Sequence, residues 1–199
     1  MLSVICPIYN EEKYIAKCLD SIIEQDYPKD DMELLLVDGM STDHTREVIA
    51  EYQNKLPWIK VLDNPKRIAP CAMNIGIKAS SGDVVIRLDA HVLYPNNYFS
   101  VLVKNLCELP GAENVGAICK TLPVNDSFIA QSIAAVLSSS FGMGNSYFRV
   151  GATEVTEVDT VPFGCFHRSI FDKVGLYDEE LVRNQDDELN ARIIKSGGK

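Results

Sequence analysis

The chain has 199 residues, 46% of them hydrophobic and 24% charged, a balance typical of one globular domain with a sizeable core. Its formal net charge of -9 argues against a nucleic-acid-binding protein, because such proteins need a basic surface. The six cysteines form no C-x-x-C pair, which favours reduced, buried thiols over a disulfide framework. No apolar run approaches the roughly 18 residues of a membrane span, so we expect a protein of the cytosol or of a membrane surface.

Short apolar runs alternate with helical patterns through the first half of the chain. The runs are rich in Val, Ile and Leu, and they predict strands at residues 2–6, 33–37, 59–62 and 83–88. Between them, apolar residues recur at helical spacing around residues 15–23, 45–52 and 72–79. Alternation of this kind predicts an α/β fold, in which a mainly parallel sheet is flanked by helices on both faces.

The second half of the chain is less regular. The predicted strands there are residues 115–120 and 158–163, and the predicted helices are residues 128–138, 168–174 and 185–195. The final helix ends before Gly197 and Gly198, and glycine suits the residue that follows a helix. The sequence contains no repeat, low-complexity stretch or linker, so we expect a single domain over residues 1–199.

The most informative segment is residues 85–92 (VIRLDAHV), where polar side chains interrupt the end of an apolar run. If this segment is a strand, Asp89 and His91 share one face, because successive strand residues point to opposite faces of the sheet. A carboxylate and an imidazole together can hold a divalent cation, and open α/β sheets bind ligands at the carboxyl edge of their strands. The octapeptide alone does not distinguish this reading from a strand that merely ends in polar residues.

Two further loops follow predicted strands at the same edge of the sheet. Residues 7–12 (PIYNEE) place a rigid turn and the Tyr9 ring before the first helix, and an aromatic ring suits stacking on a nucleotide base. Residues 37–45 (VDGMSTDHT) place Asp38 at the tip of the second strand, where a carboxylate can accept a hydrogen bond from a base. The simpler alternative is an ordinary turn with a helix N-cap, at Asn10 in the first loop and at residues 41–43 in the second. The sequence has neither the glycine fingerprint of dinucleotide-binding folds nor a P-loop.

Five segments, taken in order, resemble the family 2 glycosyltransferases of the GT-A fold. They are residues 7–12 (PIYNEE), 37–43 (VDGMSTD), 73–77 (MNIGI) with 81–83 (SGD), 88–91 (LDAH) and 184–192 (NQDDELNAR). Each motif is weak alone, but their shared order and spacing extend over nearly the whole chain, from residue 2 to residue 197. Residues 162–168 (PFGCFHR) through 184–188 (NQDDE) look closest to the succinoglycan-type exopolysaccharide glucosyltransferases.

The resemblance implies roles for five residues that would contact the nucleotide. Tyr9 would stack on uracil, and Asp38 would form a hydrogen bond with the edge of the base. Pro7 and Glu11 would line the nucleoside pocket. Arg67 would neutralise the diphosphate or touch the base, although an ordinary solvated charge at this position is the open alternative.

The resemblance also implies a divalent cation, Mn²⁺ or Mg²⁺, as the cofactor. Asp89 would contact the ribose or the metal, and His91 occupies the metal-ligand position of the D-x-D motif, where Asp is usual. Carboxylate and water suit Mg²⁺, whereas imidazole is a ligand better tolerated by Mn²⁺, so the identity of the metal stays open.

Asp186 matches the acid that the family uses as general base, with Gln185 in place of the usual Glu. Its predicted place near a helix N-terminus suits this role, because the positive end of the helix dipole favours the ionised carboxylate. Asp187 is a rival base one residue on. Neighbouring helix residues diverge by about 100°, so only one of the two can face the reacting carbon.

The resemblance divides the chain into a nucleotide-binding half, at about residues 1–92, and an acceptor half, at about residues 93–199. Residues 141–149 (FGMGNSYFR) would be either a loop over the bound donor, with glycine hinges, or an ordinary connection. In the family the catalytic domain continues past the final helix, so we expect the chain to be truncated at its C-terminus.

The function that the resemblance implies is inverting transfer of a sugar from a nucleotide diphosphate donor, expected to be a UDP-sugar, to a saccharide or lipid-linked acceptor. The implied setting is cell-surface polysaccharide synthesis in the cytoplasm, at the inner face of the cell membrane. The acidic net charge disfavours anionic lipids, so membrane association would need segments outside these residues. Two alternatives stay open: a sugar-nucleotide-binding module without turnover, and a nucleotidyltransferase.

Overall fold

The structure of the protein is a computed structural model that describes residues 1–144 and 146–199. The strands of these residues belong to one sheet. They are β1 (Leu2–Ile8), β2 (Met32–Asp38), β3 (Ile59–Asp63), β4 (Val84–Arg87), β5 (Asn114–Val115) and β6 (Cys165–His167). Within the described residues, the strand order is β3-β2-β1-β4-β6-β5. The first four strands run parallel to one another, whereas β6 runs antiparallel to β4 and β5. The predicted mixed, mainly parallel α/β sheet is therefore confirmed.

The described residues also form helices, and those that pack on the sheet lie on both of its faces. The helices are α1 (Ile15–Ile23), α2 (Thr45–Gln53), α3 (Ala69–Ala79), α4 (Tyr98–Glu108), α5 (Phe128–Leu137), α6 (Ser140–Met143), α7 (Tyr147–Val150), α8 (Ser169–Val174) and α9 (Gln185–Lys195). The apolar residues of α1, α2 and α4 belong to one buried cluster, and those of α3, α8 and α9 belong to another.

The two clusters lie on opposite faces of the sheet because strand residues alternate between them. In β2, Leu34 and Leu36 belong to the first cluster, whereas Leu35 and Val37 belong to the second. All seven residues of β2 are buried, as expected for a parallel strand that is covered on both faces. This packing fixes the carboxyl ends of β1, β2 and β4 relative to one another.

The sequence predictions are confirmed for the first half of the chain and for its last helix. Each of the four predicted parallel strands is present, with ends that differ by two residues at most. The helix predicted at residues 185–195 is α9, with the same ends. The six cysteines are free thiols, but the prediction that they are buried holds for only four of them, because Cys119 is partly buried and Cys107 is exposed.

The strand predictions for the second half are largely wrong. Residues 116–120 are not a strand. Among the described residues the partner of β5 is β6, which begins at Cys165, and the chain turns just before Cys165, at Phe163, with a φ of 55°. Residues beyond Val115 therefore have no strand to pair with. Residues 158–163 are not a strand either, and Pro162 has no backbone N–H to donate to a ladder. The strand of this region is β6 instead, and helix α4 was not predicted.

Residues 141–149 include parts of two short helices, α6 and α7, while Asn145 lies outside the described residues. A role for this segment in covering the donor therefore stays a prediction. Among the residues that the structure describes, no helix has the length and apolar character needed to cross a membrane.

Candidate donor and base site

The loops after β1 and β2 are joined by hydrogen bonds at the carboxyl edge of the sheet. The N–H of Asn10 donates to Ser41 Oγ at 2.9 Å, and Asn10 Oδ1 accepts from Thr42 N at 2.8 Å. Asn10 adopts a left-handed conformation with a φ of 56°, which Asn tolerates better than most residues. It is therefore not the N-cap of α1, which begins only at Ile15. Its role is to hold the first loop against the second.

A cleft of about 280 Å³ opens beside these loops, at the carboxyl ends of β1 and β4 and the start of α3. All the residues predicted to bind nucleotide or metal line this cleft, with the exception of Asp38. Those that line it are Pro7, Tyr9, Glu11, Arg67, Asp89 and His91. Residues that are far apart in the sequence are thus brought to one place at the edge where α/β sheets bind ligands.

Tyr9 and Arg67 face each other in the cleft. The Tyr9 ring is 44% exposed, and the guanidinium carbon of Arg67 lies 6.0 Å from its centroid. Arg67 also has a left-handed φ of 61°, set by the loop that leads into α3. Its neighbour Lys66 is instead held by Glu179, with Nζ 2.6 Å from Oε2. Of these two basic residues, Arg67 is the one that lines the cleft.

Asp38 ends β2 but does not line the cleft. Its carboxylate is fully buried and accepts hydrogen bonds from the backbone N–H and hydroxyl of Ser41. Nε of Arg46 donates to the same carboxylate at 2.6 Å. These contacts tie the second loop to β2. The predicted contact of Asp38 with a base stays a prediction, and it requires the carboxylate to exchange one of these partners.

Asp89 and His91 meet in the cleft, but not because they share the face of a strand. Strand β4 ends at Arg87, and residues 90–91 form a turn, so the expectation of a continuous strand is wrong. His91 Nδ1 lies 2.9 Å from Glu11 Oε1, across from the first loop. A carboxylate on Nδ1 orients an imidazole so that Nε2 is presented to a ligand, as in many metal sites.

The donor atoms of Asp89 and His91 fit a divalent cation in their chemistry, while Glu11 is paired with Nδ1 of His91. A carboxylate and an imidazole suit Mn²⁺, and Mg²⁺ commonly takes one or two carboxylates together with water and substrate phosphates. The part of the chain that the structure describes holds no group of three or more His, Cys, Asp or Glu side chains arranged as a metal site. A cation in this cleft would therefore need the phosphates of a bound substrate to complete its ligands.

Asp186 lies next to the cleft through its contact with Arg87. Nη1 of Arg87 forms an ion pair with Oδ1 of Asp186, and Nη2 of Arg87 lies 3.7 Å from Oδ1 of Asp89. The Arg87 side chain is 5% exposed, and that of Asp186 is 16% exposed. The predicted base on α9 is thus connected by one guanidinium to the predicted metal ligand after β4.

Asp186 and Asp187 have different surroundings. Burial raises the pKa of Asp186 above its ordinary value, although the Arg87 guanidinium opposes this effect, and the nearby charges of Asp89 and Asp187 add to it. Asp187 turns away and accepts a hydrogen bond from Thr160 Oγ1 at 2.6 Å. Only Asp186 therefore contacts the residues at the edge of the cleft.

Arg87 and Asn64 line the cleft although the sequence analysis assigned neither a role. Arg87 interrupts an otherwise apolar strand, and a charge at the end of a buried strand is the signal that could have identified it. Asn64 is 2% exposed and donates from Nδ2 to the carbonyl of Ile68 at 3.0 Å, while its buried Oδ1 has no partner among the residues that the structure describes. No pattern in the sequence distinguishes Asn64 from an ordinary turn residue.

A second, larger cleft of about 1010 Å³ lies in the second half of the chain. It is formed by residues near β5, by the segment 152–162 and by the last residues of the chain, and none of the predicted site residues lines it. Its wall includes Thr160, the partner of Asp187, so the two neighbouring acids face different sides of α9. The two clefts share no lining residue.

The family model described as Glycosyl transferase family 2 matches residues 3–175. The chain belongs to this family. The relative from Methanococcus voltae named "Dolichyl N-acetyl-alpha-D-glucosaminyl phosphate 3-beta-D-2,3-diacetamido-2,3-dideoxy-beta-D-glucuronosyltransferase" is 37% identical over 100% of this chain and 63% of its own length. The succinoglycan biosynthesis protein ExoA of Rhizobium meliloti is 31% identical over 98% of this chain and 58% of its own. The predicted family is thus confirmed, and the chain spans about 60% of the length of these two relatives.

Solved structures show the same fold. TarS 1-349 of S. aureus in complex with UDP-GlcNAc matches with a TM-score of 0.72 at 23% identity, over 96% of this chain and 52% of that one. The mannosyltransferase PcManGT of Pyrobaculum calidifontis, in complex with GDP-Man and Mn²⁺, matches with a TM-score of 0.69 at 24% identity, over 98% of this chain and 51% of that one. The predicted GT-A fold is therefore confirmed.

Proposed function

We propose that this chain is the catalytic part of an inverting glycosyltransferase that transfers a sugar from a nucleotide diphosphate donor to a hydroxyl group of an acceptor. The observation that carries the proposal is the placement of Asp186. Its carboxylate lies beside the cleft lined by Tyr9, Arg67, Asp89 and His91, joined to it through Arg87. Family membership and the fold of the matched structures support the same reaction class.

The reaction requires a base on one side of the anomeric carbon and a leaving group on the other. Asp186 accepts the proton of the acceptor hydroxyl while the oxygen of that hydroxyl forms a bond to the anomeric carbon. The bond between that carbon and the diphosphate oxygen breaks, and both bonding electrons leave with the nucleotide diphosphate. One displacement of this kind inverts the anomeric configuration.

The residues of the cleft would bind the donor and stabilise its departing charge. Tyr9 offers a partly exposed ring to a base, Pro7 and Glu11 shape the pocket, and Arg67 supplies a positive charge to the diphosphate. A divalent cation held by Asp89 and His91 would supply Lewis-acid stabilisation of the leaving group. Mn²⁺ is favoured by the imidazole ligand, and one structural relative was solved with Mn²⁺.

A UDP-sugar is the proposed donor, and a saccharide or a lipid-linked saccharide is the proposed acceptor. TarS was solved with UDP-GlcNAc, whereas PcManGT was solved with GDP-Man, so the likeness of fold alone leaves the base open. The resemblance to the exopolysaccharide enzymes favours UDP. The relative from Methanococcus voltae is named for a dolichyl-linked acceptor, which supports a place of action at a membrane, and we propose its cytoplasmic face.

The direct test is turnover of nucleotide sugars by the purified chain. UDP-sugars and GDP-Man are incubated with Mn²⁺ and with saccharide or polyprenyl-phosphate-linked acceptors, and free nucleotide diphosphate is measured. We expect release of UDP that depends on the acceptor and is lost with a chelator. Tight binding of UDP with no turnover of any donor would instead indicate a sugar-nucleotide-binding module, and preference for GDP-Man would refute the assignment of the base.

A further inference from the structure

Arg87 connects the two parts of the site, and the reaction described above gives it no role. The end of β4 fixes its backbone, which pairs with Ile5 of β1 and donates an N–H to the carbonyl of Gly164 at 2.9 Å. The guanidinium then extends to Asp186 on one side and towards Asp89 on the other. The side chain therefore spans from the sheet that carries the donor cleft to the helix that carries the base.

The guanidinium is held in one orientation by its surroundings. Its central carbon lies 5.3 Å from the centroid of the Phe163 ring, and Phe163 adopts a left-handed φ of 55° at the turn before β6. Buried Nε of Arg87 has no hydrogen-bond partner in the structure. A guanidinium that is 5% exposed and incompletely paired is costly to bury. The contacts that offset this cost, and so hold the guanidinium in place, are those with Asp186 and with the Phe163 ring.

Besides the ion pair with Arg87, the N-terminal turn of α9 offers few contacts that orient the Asp186 carboxylate. Asn184, the N-cap residue, has a left-handed φ of 60° and makes no side-chain hydrogen bond with the helix. Asp187 in the same turn faces Thr160 and not the cleft. The ion pair with Arg87 is thus the contact that directs the Asp186 carboxylate towards the donor cleft.

We propose that Arg87 is a positioning residue, which holds the carboxylate of Asp186 at a fixed distance from Asp89 and so from the bound donor. This inference rests on the proposed function, since it takes Asp186 as the base. The position of a base matters because displacement by about 1 Å can lower a rate by about 100-fold. Arg87 acts through Asp186 and does not itself contact the reacting atoms.

A double-mutant cycle in turnover separates this role from direct contact with the donor. We expect Arg87→Met to lower kcat by about 100-fold with little change in KM for the donor, because the base is misplaced. In the Asp186→Asn background, the same substitution should change kcat by less than about threefold, since no base remains to be positioned. Arg87→Lys, which keeps the charge, should recover at least about a tenth of the wild-type kcat.

Arg168→Met is the matched control. Arg168 is partly buried at the opposite end of β4, where it donates to Ser80 Oγ at 2.6 Å and to the carbonyl of Ile77 at 2.8 Å. Arg168→Met should lower the melting temperature but leave kcat within about threefold of wild type. If loss of stability alone explained the effect of Arg87→Met, kcat would fall to a similar extent in both variants. Arg87→Met and Arg168→Met are compared at equal folded fraction, measured by circular dichroism.

The possible results distinguish this inference from the proposed function. Additive losses from Arg87→Met and Asp186→Asn would overturn the positioning role, because they would show that the two residues act independently. A UDP affinity that Arg87→Met alone lowers by more than about tenfold would also overturn it and would make Arg87 a donor ligand. Full activity of Asp186→Asn would overturn the choice of base instead. If no donor is turned over, a crystal structure of Arg87→Met decides: a displaced Asp186 carboxylate supports the inference, and an unmoved one refutes it.

Discussion

The two halves of the molecule differ in how firmly their parts are held. In the first half, β1 and β2 are seven residues long, and the loops that follow them are joined by hydrogen bonds such as that from Asn10 to Ser41. In the second half, β5 and β6 have only two and three residues. Large apolar side chains there face solvent, with Phe128 84% and Phe141 97% exposed.

This difference suits the predicted division into a nucleotide-binding half and an acceptor half, which stays a prediction. In the first half the loops after β1 and β2 are joined to each other by hydrogen bonds, and a preorganised site loses less free energy when it binds a ligand. The second half contributes Asp186 and the larger cleft, and it holds few long-range strand pairs. We therefore expect most changes in the first half to alter donor binding and stability, with Arg87 as the exception because it contacts Asp186, and changes at Asp186 in the second half to alter turnover.

The largest effect is expected from the base in the second half. Asp186→Asn removes the group that accepts the acceptor's proton, so kcat should fall by about 100-fold or more. UDP affinity should stay nearly unchanged, because the residues that line the nucleotide cleft are intact. Steady-state kinetics and calorimetry with UDP measure the two quantities separately.

Asp187→Asn is the matched control for this prediction. It changes the neighbouring acid, whose partner is Thr160 and not Arg87, so the loss of turnover should be milder. A reversed order of the two effects would identify Asp187 as the base. In the wild type, kcat should also fall as the pH is lowered through the pKa of Asp186, which burial raises above its ordinary range.

The sequence predicted those parts of this site that depend on local patterns. The motif at residues 7–12, the acids at Asp89 and Asp186, and helix α9 can each be recognised from a short stretch. The contact between Arg87 and Asp186 could not be predicted, because the two residues are 99 positions apart and belong to different elements. For Asp38, the motif correctly predicted a place at the end of a strand. Its contacts with Ser41 and Arg46 could not be predicted, because they depend on tertiary packing.

The errors in the second half have a similar physical reason. Short strands are specified by their partners in the sheet and not by their own residues, so an apolar run such as residues 158–163 is a poor guide. Strand β6 is selected because it pairs on both sides, with β4 and with β5. The long runs of β1 and β2, which are buried on both faces, carry their own signal.

A second prediction concerns the stability of the first half. Glu33 of β2 is buried, and it accepts hydrogen bonds from Lys60 Nζ at 2.7 Å, from Ser81 N at 2.7 Å and from Ser3 Oγ at 2.8 Å. Burial alone would raise the pKa of Glu33, but these hydrogen bonds outweigh it and lower the pKa to about 2. Glu33→Gln should therefore lower the free energy of unfolding at pH 7 by about 2 kcal/mol.

The pH dependence of stability tests the cause. The pKa of Glu33 in the unfolded chain is about 4.3, so the stabilisation is complete above that pH and is lost as the pH falls towards about 2. Urea unfolding between pH 7 and pH 3 should show a steeper decline for the wild type than for Glu33→Gln. Glu108→Gln, at an exposed pair with Lys104, is the control and should change the free energy by less than about 0.5 kcal/mol. Parallel pH curves for Glu33→Gln and the wild type would refute the assignment.

A third prediction concerns the cation in the donor cleft. His91→Ala should weaken Mn²⁺-dependent UDP binding by about tenfold, because a ligand of the metal is lost. Asp89→Asn should weaken it at least as much, and a chelator should reduce the wild type to the level of the variants. Calorimetry with and without Mn²⁺ measures these changes. Equal affinity of His91→Ala and wild type in Mn²⁺ would exclude His91 as a ligand.

The smallest effect is expected at the exposed apolar residues of the second half. Phe128→Ser and Ile133→Ser, on the exposed side of α5, should change the free energy of unfolding by less than about 0.5 kcal/mol, because neither side chain is buried. UDP affinity should be unchanged, since α5 contributes no residue to the nucleotide cleft. Exposed apolar patches promote association, so light scattering should show less self-association of the double variant than of the wild type. A loss of UDP affinity here would contradict the division between the halves, because it would show that the second half shapes the donor cleft.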